Sequence, residues 1–421
     1  MPHKLKFKQV PGSICAPRGF KAAAVFCGIK RRKLDLALIA SDVPAAVAGM
    51  FTTNQVCAAP VKLSAQRAAK RFAQAIVVNS GNANACTGRQ GIRDAKRTAE
   101  MAAAALKLQA SDLLVCSTGR IGVPMPMKNV ERGIRACARL LARSATNAQR
   151  TAEAILTSDT RRKQIAVEFR IGKSTVRIGG ICKGAGMIQP RMATLHATML
   201  TFITTDVAIE SELLKRALRD AVTQSFNRIT VDGDMSTNDS VIMLANGLAR
   251  NSKFEIRNSK FQEALNFVCL ELAKMIVRDG EGVSRFVTVH LHGARSAGEA
   301  AAAGRAIANS PLVKTSWCGG DPNWGRILCA LGYSDAKVNE SRVDVGYAKP
   351  GSRKILFAFR RGRPTNVALK TLSKISTAPE FDLHVHLHLG RAEFTMYASD
   401  LTENYVAFNR RYESTPASLC S

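Results

Sequence analysis

The sequence predicts a mixed α/β fold, and three observations support this prediction. Alanine-rich amphipathic stretches, typical of helices, alternate from end to end with β-branched runs, typical of strands. Hydrophobic residues make up 46% of the 421 residues, which is enough for a large core. No low-complexity segment is long. We therefore expect a globular protein with two domains or two closely joined lobes.

The first part of the chain contains three predicted strands and two predicted helices. The strand segments are apolar and stop near Gly or Ser, whereas the helical segments repeat Ala and charged residues with helical spacing. The predicted strands are LDLALIASD (34–42), FAQAIVVNSG (72–81) and DLLVCSTG (112–119), and the predicted helices are DAKRTAEMAAAALKL (94–108) and ATNAQRTAEAILTSD (145–159).

The second part continues the alternation. Residues 211–234 predict a helix that leads into a strand, residues 240–247 a strand, and residues 260–282 a long helix. FVTVHLHGA (286–294) alternates with period two, typical of a strand. FDLHVHLHLGRAEFTMYASDL (381–401) predicts a hairpin of two strands around Leu389 and Gly390.

The charge balance is strongly basic, with 61 Lys and Arg against 32 Asp and Glu and a net charge of +29. Such a charge raises the hypothesis of a nucleic-acid-binding protein. The basic residues are spread along the whole chain in groups such as KRRK (30–33) and RRK (161–163), and only 6% of residues are aromatic. We therefore predict a solvated basic surface and no nucleic-acid partner.

The cysteine pattern and the length of the apolar runs predict the cellular location. Eleven cysteines occur without a CxxC pair, a pattern typical of reduced thiols rather than of a disulfide framework or a zinc site. No apolar run reaches the roughly 18 to 20 residues of a membrane helix, and the first residues contain no apolar signal region. We expect a cytoplasmic protein without a membrane partner.

Five polar turns stand at predicted strand or helix ends. They combine Gly, Asn, Ser and Asp, so that backbone N–H groups and short side chains can converge on a ligand. The turns are NSGNANACTG (79–88), STGRIG (117–122), VDGDMSTNDS (231–240), RDGEG (278–282) and GGDPNWGR (319–326). Five such turns in one chain predict a binding or catalytic site.

These turns, in this order, belong to longer motifs that closely resemble the glutamate N-acetyltransferase family, also called ornithine acetyltransferases. The resemblance covers residues 20 to 414. The matching segments are SDVPAAVAGMFTTNQVCAAPV, VVNSGNANACTG, STGRIGVPMPM, KGAGMIQPRMAT, ITVDGDMSTNDSV, MIVRDGEG, LVKTSWCGGDPNWGRIL and DLTENYVAFN.

The resemblance implies a self-cleaving enzyme with an N-terminal threonine nucleophile, folded as a layered α/β sandwich with helices flanking β-sheets. Cleavage would produce an alpha chain (1–193) and a beta chain (194–421), paired as a heterotetramer. The implied reaction moves acetyl from N2-acetyl-L-ornithine to L-glutamate in arginine biosynthesis and needs no metal or other cofactor. Some members also accept acetyl from acetyl-CoA, and no residue of this sequence decides that point.

The cleaved bond that the resemblance implies is Ala193–Thr194, in KGAGMIQPRMATLHAT. Thr194 follows the family's lysine, Lys183, at the expected distance and keeps the context PRMAT. Counting backward from TTD favours Thr198 instead, because LHAT looks like an insertion. We predict Thr194 as the nucleophile, and Thr198 remains the alternative. The free α-amino group of a terminal threonine can act as its base near neutral pH.

Further residues match positions that the family uses around the nucleophile. Thr118 and Gly119 would form the oxyanion hole, through a hydroxyl and a backbone N–H. The implied substrate-binding residues, beside Thr194 itself, are Thr157, Lys183, Glu281, Asn409 and Ser414. Thr415 adjoins Ser414 and is the alternative for the last contact. Lys183 would hold a carboxylate, and Glu281 would face the ornithine ammonium.

One histidine-rich segment and one alternative activity remain to be considered. HVHLH places His384, His386 and His388 on one strand face, and without a carboxylate motif nearby we predict a solvent-facing edge or an interface rather than a metal site. A self-processing amidase or aminopeptidase would use the same nucleophile and give the acyl group to water. It is the alternative to acetyl transfer.

Overall fold

The structure, a computed structural model, describes residues 7–189, 199–250 and 260–413. These residues form two compact units. The first comprises the described residues within Met1–Asn227 and Met235–Ile276, and the second those within Arg228–Asp234 and Val277–Ser421. Two units are what the chain length predicts. The boundary after residue 193, which marks a cleavage site rather than a packing unit, stays a prediction.

Strands and helices alternate along the chain, so the prediction of a mixed α/β fold is confirmed. Up to residue 278 the elements are β1 (Lys8–Gln9), β2 (Phe20–Val25), β3 (Leu36–Phe51), α1 (Ala59–Ala68), β4 (Phe72–Asn82), α2 (Gly88–Leu106), β5 (Leu113–Arg120), α3 (Met127–Leu140), α4 (Ala145–Ala154), β6 (Lys163–Ile171), β7 (Ser174–Lys183), β8 (Leu200–Thr205), α5 (Ser211–Thr223), β9 (Ile229–Thr230), β10 (Ser240–Ala245) and α6 (Lys260–Arg278). They continue with β11 (Phe286–Ala294), α7 (Ala297–Asn309), α8 (Pro311–Cys318), α9 (Trp324–Gly332), β12 (Asp344–Ala348), β13 (Leu356–Arg360), β14 (Arg363–Pro364), α10 (Leu369–Ser376), β15 (Glu380–His386), β16 (Ala392–Ser399) and α11 (Glu403–Glu413).

The first unit is built on a nine-stranded sheet. Eight strands follow the order β1-β6-β7-β8-β10-β3-β4-β5, and β2 pairs with β3. Every residue of the central strands β8 and β10 is buried, because layers cover both faces. β4 and β5 are parallel neighbours, so the polar turns that follow them lie at the same edge of the sheet.

Helices of the first unit pack on both faces of this sheet. Leu38 and Val77 belong to the core that includes α2 and α3, whereas Ile39 and Ile76 belong to the core that includes α4. Successive strand residues point to opposite faces, so each strand contributes to both cores.

The prediction of a helix over 145–159 is wrong at its end, because α4 stops at Ala154. Ser80 Oγ donates a hydrogen bond to the carbonyl of Ala154, and Lys30 Nζ donates to the carbonyl of Leu156 at 2.6 Å. These side chains take acceptors that a longer helix would use itself, so the chain turns toward the edge of the sheet.

The second unit contains a seven-stranded sheet in the order β14-β13-β12-β15-β11-β16-β9. The predicted hairpin over 381–401 is wrong. β15 and β16 both form, but β11 lies between them, parallel to β15 and antiparallel to β16. The nine-residue strand β11, with one buried apolar face, offers both of them a partner, whereas the Leu389–Gly390 turn alone does not specify the pairing.

One face of this second sheet carries its core. Val289, Leu291, Leu383 and Val385 point toward α7, α8, α9 and α10 and are fully buried. The alternate residues of β11 and β15, which include four histidines, therefore lie on the opposite face. In neither unit is any described helix long and apolar enough to cross a membrane.

Candidate active site

The predicted cleavage bond and nucleophile lie outside the described residues. Residues 190–198 contain Ala193, Thr194 and the alternative Thr198, and residues 414–421 contain Ser414 and its alternative Thr415. The remaining predicted site residues are described, and two groups of them are each brought together within one unit.

Thr118 and Gly119 stand near the carboxyl end of β5, beside β4. Gly119 has φ +134° and lies so close to β4 that a Cβ would be 2.3 Å from the carbonyl carbon of Gly81 and 2.5 Å from the backbone nitrogen of Asn82. Only glycine fits both the backbone angle and the gap. The sequence turn STGRIG is thus a fixed, irregular end of a strand rather than an open loop.

Lys183 ends β7 and reaches the same place. Its Nζ donates to Oγ1 of Thr118 over 3.3 Å, and the two residues are only 6% and 9% exposed. A buried ammonium beside a hydroxyl can bind a carboxylate or another anion at this edge of the sheet. The structure therefore brings together two residues that are 65 positions apart in the sequence.

Asp159 connects the predicted residues Thr157 and Lys183. Its Oδ1 accepts hydrogen bonds from Lys163 Nζ and from the backbone N–H of Gly184, both at 2.6 Å, and its Oδ2 accepts one from the backbone N–H of Thr157 at 2.9 Å. The carboxylate thus holds the turn after α4 against the end of β7, next to Lys183.

The electrostatics of this contact favour the charged carboxylate. Burial by itself would raise the pKa of Asp159, but the charges of Lys183 and Lys163 and the hydrogen bonds from Lys163 and Gly184 outweigh burial and lower the pKa below its usual range. Asp159 and Lys163 are both almost fully buried. They form a buried ion pair beside the predicted carboxylate-binding lysine.

Lys30 is a third lysine near this edge, after Lys183 and Lys163. Its Nζ donates to the carbonyls of Leu34 and Leu156, at 3.1 and 2.6 Å. Burial lowers the pKa of Lys30 to about 8, with the charge of Lys183 acting in the same direction and that of Asp35 opposing it. Its side chain also lies against Gly81, where a Cβ would be 2.9 Å from its Cγ.

Asparagine side chains join three of the polar turns at this edge. Asn79 Nδ2 donates to the carbonyl of Asn82, and Ser117 Oγ donates to Asn79 Oδ1. Asn238 Nδ2 donates to the carbonyls of Ala83 and Ser117, at 2.6 and 2.8 Å. These bonds join NSGNANACTG, STGRIG and the second half of VDGDMSTNDS.

The second unit holds the other pair of predicted residues. Asn409 Nδ2 donates to Glu281 Oε2 over 3.2 Å and to the carbonyl of Tyr405 over 3.0 Å. Gly282, at φ +65°, fits against α11, where a Cβ would be 2.5 Å from the backbone nitrogen of Tyr405. The RDGEG turn is therefore fixed against α11 with Glu281 and Asn409 in contact.

The turn GGDPNWGR has a clear local role. Asn323 is the N-cap of α9, and its side chain accepts a hydrogen bond from the backbone N–H of Arg326. Its Nδ2 also donates to Asp321 at 2.9 Å. The motif thus shapes the start of a helix in the second unit.

Sequence reasoning missed Asp159, Lys163 and Lys30. The spacing of four between Asp159 and Lys163 is a usual ion-pair spacing and was available, but RRK (161–163) and KRRK (30–33) were interpreted as solvated surface. One lysine of each run instead turns inward, which composition does not reveal.

Comparisons with known proteins show which family this chain is similar to. The sequence profile of the ArgJ family matches residues 21–414. The chain is 46% identical over 409 residues to an arginine biosynthesis bifunctional protein ArgJ from Symbiobacterium thermophilum, covering 96% of this chain and 99% of that protein. It is 44% identical over 410 residues to a glutamate N-acetyltransferase from Methanocaldococcus jannaschii, covering 96% and 99%. A solved chain of ornithine acetyltransferase complexed with ornithine, from Mycobacterium tuberculosis, is 39% identical, with a TM-score of 0.43, and the match covers 44% of this chain and 100% of that chain.

Proposed function

Because the chain belongs to the ArgJ family, we propose that it is an acyltransferase of arginine biosynthesis that moves acetyl from N2-acetyl-L-ornithine to L-glutamate. The feature of the structure that best supports this reaction is the buried contact of Lys183 Nζ with Thr118 Oγ1 at 3.3 Å. It puts a cation for a substrate carboxylate beside a hydroxyl that can donate to an oxyanion.

The first step is self-cleavage at Ala193–Thr194. The Thr194 hydroxyl attacks the carbonyl of Ala193, the acyl group shifts from nitrogen to oxygen, and water hydrolyses the resulting ester. The products are the alpha chain (1–193) and the beta chain (194–421), whose first residue carries a free α-amino group.

Acetyl transfer then proceeds in two half-reactions. The Thr194 oxygen attacks the acetyl carbonyl of N2-acetyl-L-ornithine, the amide C–N bond breaks, and the threonine's proton passes through its α-amino group to the leaving ornithine amine. L-Glutamate next attacks the threonine ester through its own amine, takes the acetyl group, and returns the proton to the threonine oxygen.

Thr118 and Gly119 stabilise the tetrahedral intermediates of both half-reactions. The Thr118 hydroxyl and the Gly119 N–H are donors on one strand end, and the gap against Gly81 fixes the backbone there. Donors that are already in place need no reorganisation as charge develops on the oxygen, so they lower the barrier.

Lys183 binds the α-carboxylate of ornithine and of glutamate, and Thr157 contributes a hydroxyl. Asp159 keeps both in position, through its bonds with Gly184 N and Thr157 N. In the second unit, we assign Glu281 to the side-chain ammonium of ornithine, with Asn409 holding the carboxylate over 3.2 Å. Ser414, or Thr415 beside it, supplies the last hydroxyl.

The assembled enzyme, in this proposal, is a heterotetramer of two alpha and two beta chains that works in the cytoplasm without a cofactor. Acetyl-CoA is a second acetyl donor to test, because a thioester can form the same acetyl-threonine. Acetylation of glutamate by purified enzyme, with acetyl-CoA in place of acetylornithine, separates a bifunctional from a monofunctional enzyme. Native mass spectrometry gives the stoichiometry of the chains.

The decisive experiment is intact mass and N-terminal sequencing of purified protein, beside Thr194→Ala and Thr198→Ala variants. We expect two fragments, the second beginning at Thr194, in wild type and in Thr198→Ala, and one uncut chain in Thr194→Ala. A fragment that begins at Thr198 would transfer the nucleophile to that residue. An uncut wild-type chain would refute the proposed mechanism.

The reaction itself is tested by ornithine release with and without L-glutamate. An acyltransferase releases ornithine continuously only when glutamate accepts the acetyl group from the threonine. A release rate that is independent of glutamate would instead identify an amidase that gives the acyl group to water.

A further inference from the structure

Four histidines form a compact group on the second sheet, on the face opposite α7, α8, α9 and α10. β11 and β15 pair in parallel with His290 opposite His384 and His292 opposite His386. The rings of His290 and His384 stack at 4.6 Å between centroids, and those of His292 and His386 at 4.4 Å. The four side chains therefore form a two-by-two array across two strands.

Three of these histidines converge on one point. His292, His384 and His386 each have a ligand nitrogen within 4.8 Å of those of the other two. His384 Nδ1 lies 3.5 Å from His292 Nε2, which is long for a hydrogen bond. Imidazoles bound to one tetrahedral zinc ion at about 2.0 to 2.1 Å have nitrogens about 3.4 Å apart. The 3.5 Å between His384 Nδ1 and His292 Nε2 is close to that spacing, and all three ligand nitrogens lie within 4.8 Å of one another.

The surroundings of the three histidines fit a metal site as well. His292 Nδ1 faces Glu393 Oε1 at 3.3 Å, leaving Nε2 directed at His384. A carboxylate on the outer nitrogen of a ligating histidine fixes the ring and its tautomer. Nε2 of His386 is buried without a hydrogen-bond partner among the described residues.

Burial dominates the electrostatics of the two central histidines. Burial, and next the neighbouring His290 and His292, lower the pKa of His384 to about 4. Burial and the neighbouring His292 and His388 likewise lower the pKa of His386 to about 4.

We propose that His292, His384 and His386 bind one divalent transition-metal ion, with zinc as the expected ion, at the face of the second sheet opposite its helices. Three protein nitrogens leave a fourth position for water or another ligand. Because the ligands come from β11 and β15, the ion cross-links two strands that are separated by about ninety residues of chain. None of the three histidines is among the residues assigned to acetyl transfer.

The test is calorimetric titration of the full-length, EDTA-treated enzyme with zinc chloride. We expect one zinc per chain, with affinity reduced more than tenfold in each of His292→Ala, His384→Ala and His386→Ala. Glu393→Gln should reduce affinity by about tenfold, because it removes the carboxylate that fixes the His292 ring through Nδ1. His388→Ala is the matched control. Its Nε2 contacts Asp344 at 2.9 Å instead, so zinc binding should remain.

Two results would overturn this assignment. The free cysteines could bind zinc on their own, and equal affinity in wild type and in the triple histidine variant would identify them or another site as the ligands. Loss of binding in His290→Ala and Asp382→Asn, but not in His292→Ala, would move the ion to the neighbouring group of His290, Asp382 and His384.

Two further measurements keep the test independent of folding and of acetyl transfer. Zinc should raise the Tm of wild type and of His388→Ala but not that of His386→Ala, because an ion that binds only the folded state stabilises it. Acetyl transfer by His386→Ala should equal that of wild type. Failure of zinc to raise the wild-type Tm would contradict the proposal, whatever the acetyl-transfer rate.

Discussion

Replacement of Asp159 by Asn should destabilise the first unit strongly. The carboxylate accepts bonds from Lys163 Nζ, Gly184 N and Thr157 N, and its side chain is fully buried. An asparagine keeps one oxygen acceptor but has no negative charge. The ammonium groups of Lys163 and Lys183 therefore lose the negative charge that balances them. Removing one partner of a buried ion pair costs about 3 to 5 kcal/mol.

This loss can be followed by thermal unfolding. For a domain of this size each kcal/mol lowers the Tm by about 2 to 4 °C, so we expect a decrease of roughly 6 to 20 °C. The measurement is best made in the Thr194→Ala background, so that chain cleavage does not differ between the variants. Asp94→Asn is the matched control, because Asp94 is also buried but accepts its hydrogen bond from the neutral Gln90.

The pH dependence of the same two proteins gives a second check. The pKa of Asp159 is lower in the folded protein than its ordinary value of 3.8, so its stabilisation is complete well above pH 3.8 and is lost as the pH falls through the folded-state pKa. The stability difference between wild type and Asp159→Asn should therefore be largest near neutral pH and narrow on acidification. A difference within about 1 kcal/mol at pH 7, no larger than that of Asp94→Asn, would refute this account.

Three other substitutions test the oxyanion hole, the close approach of β5 to β4 and the burial of Lys314. Thr118→Val keeps the side-chain shape but removes the hydroxyl donor, and should lower kcat for acetyl transfer by about 100-fold or more; an unchanged kcat would exclude Thr118 from the oxyanion hole. Gly119→Ala should lower both Tm and activity because its Cβ would lie 2.3 Å from the Gly81 carbonyl carbon, whereas Gly122→Ala, at φ +79° with open space around it, should lower the Tm less. Burial lowers the pKa of Lys314 to about 8 from its usual 10.5, so the unfolded chain binds more protons between these values and stability rises with pH there, by up to about 3 kcal/mol. The free energy of unfolding of Lys314→Met, measured with urea at pH values between these two pKa values, should lack that part of the rise. A pH profile parallel to that of wild type would contradict this prediction.

Local features of this protein could be predicted from its sequence because they depend on neighbouring residues. The period-two pattern of FVTVHLHGA matches β11 at both ends, and the polar turns after the strands FAQAIVVNSG and DLLVCSTG do meet at one edge. Gly119, placed at a strand end by its motif, has the backbone angle that only glycine accepts. The family motifs span nearly the whole chain, so the enzyme class could also be predicted from the sequence.

The C-terminal end of α4 could not be predicted from the local sequence. Residues 145–159 keep helical spacing throughout, but Lys30 and Ser80, far away in the sequence, take the carbonyls of Leu156 and Ala154. A distant side chain that competes for a helix's own acceptors leaves no trace in the local pattern.

The sequence by itself determined the alternation of strands and helices and the motifs that show the family, because these depend on spacing along one stretch of chain. The tertiary structure decided which charges face each other and which strands pair. It turned Lys163 inward onto Asp159, and it inserted β11 between β15 and β16, where a hairpin was expected. Strand partners are selected by the burial of apolar faces over long sequence distances, and that selection brought His292 beside His384 and His386.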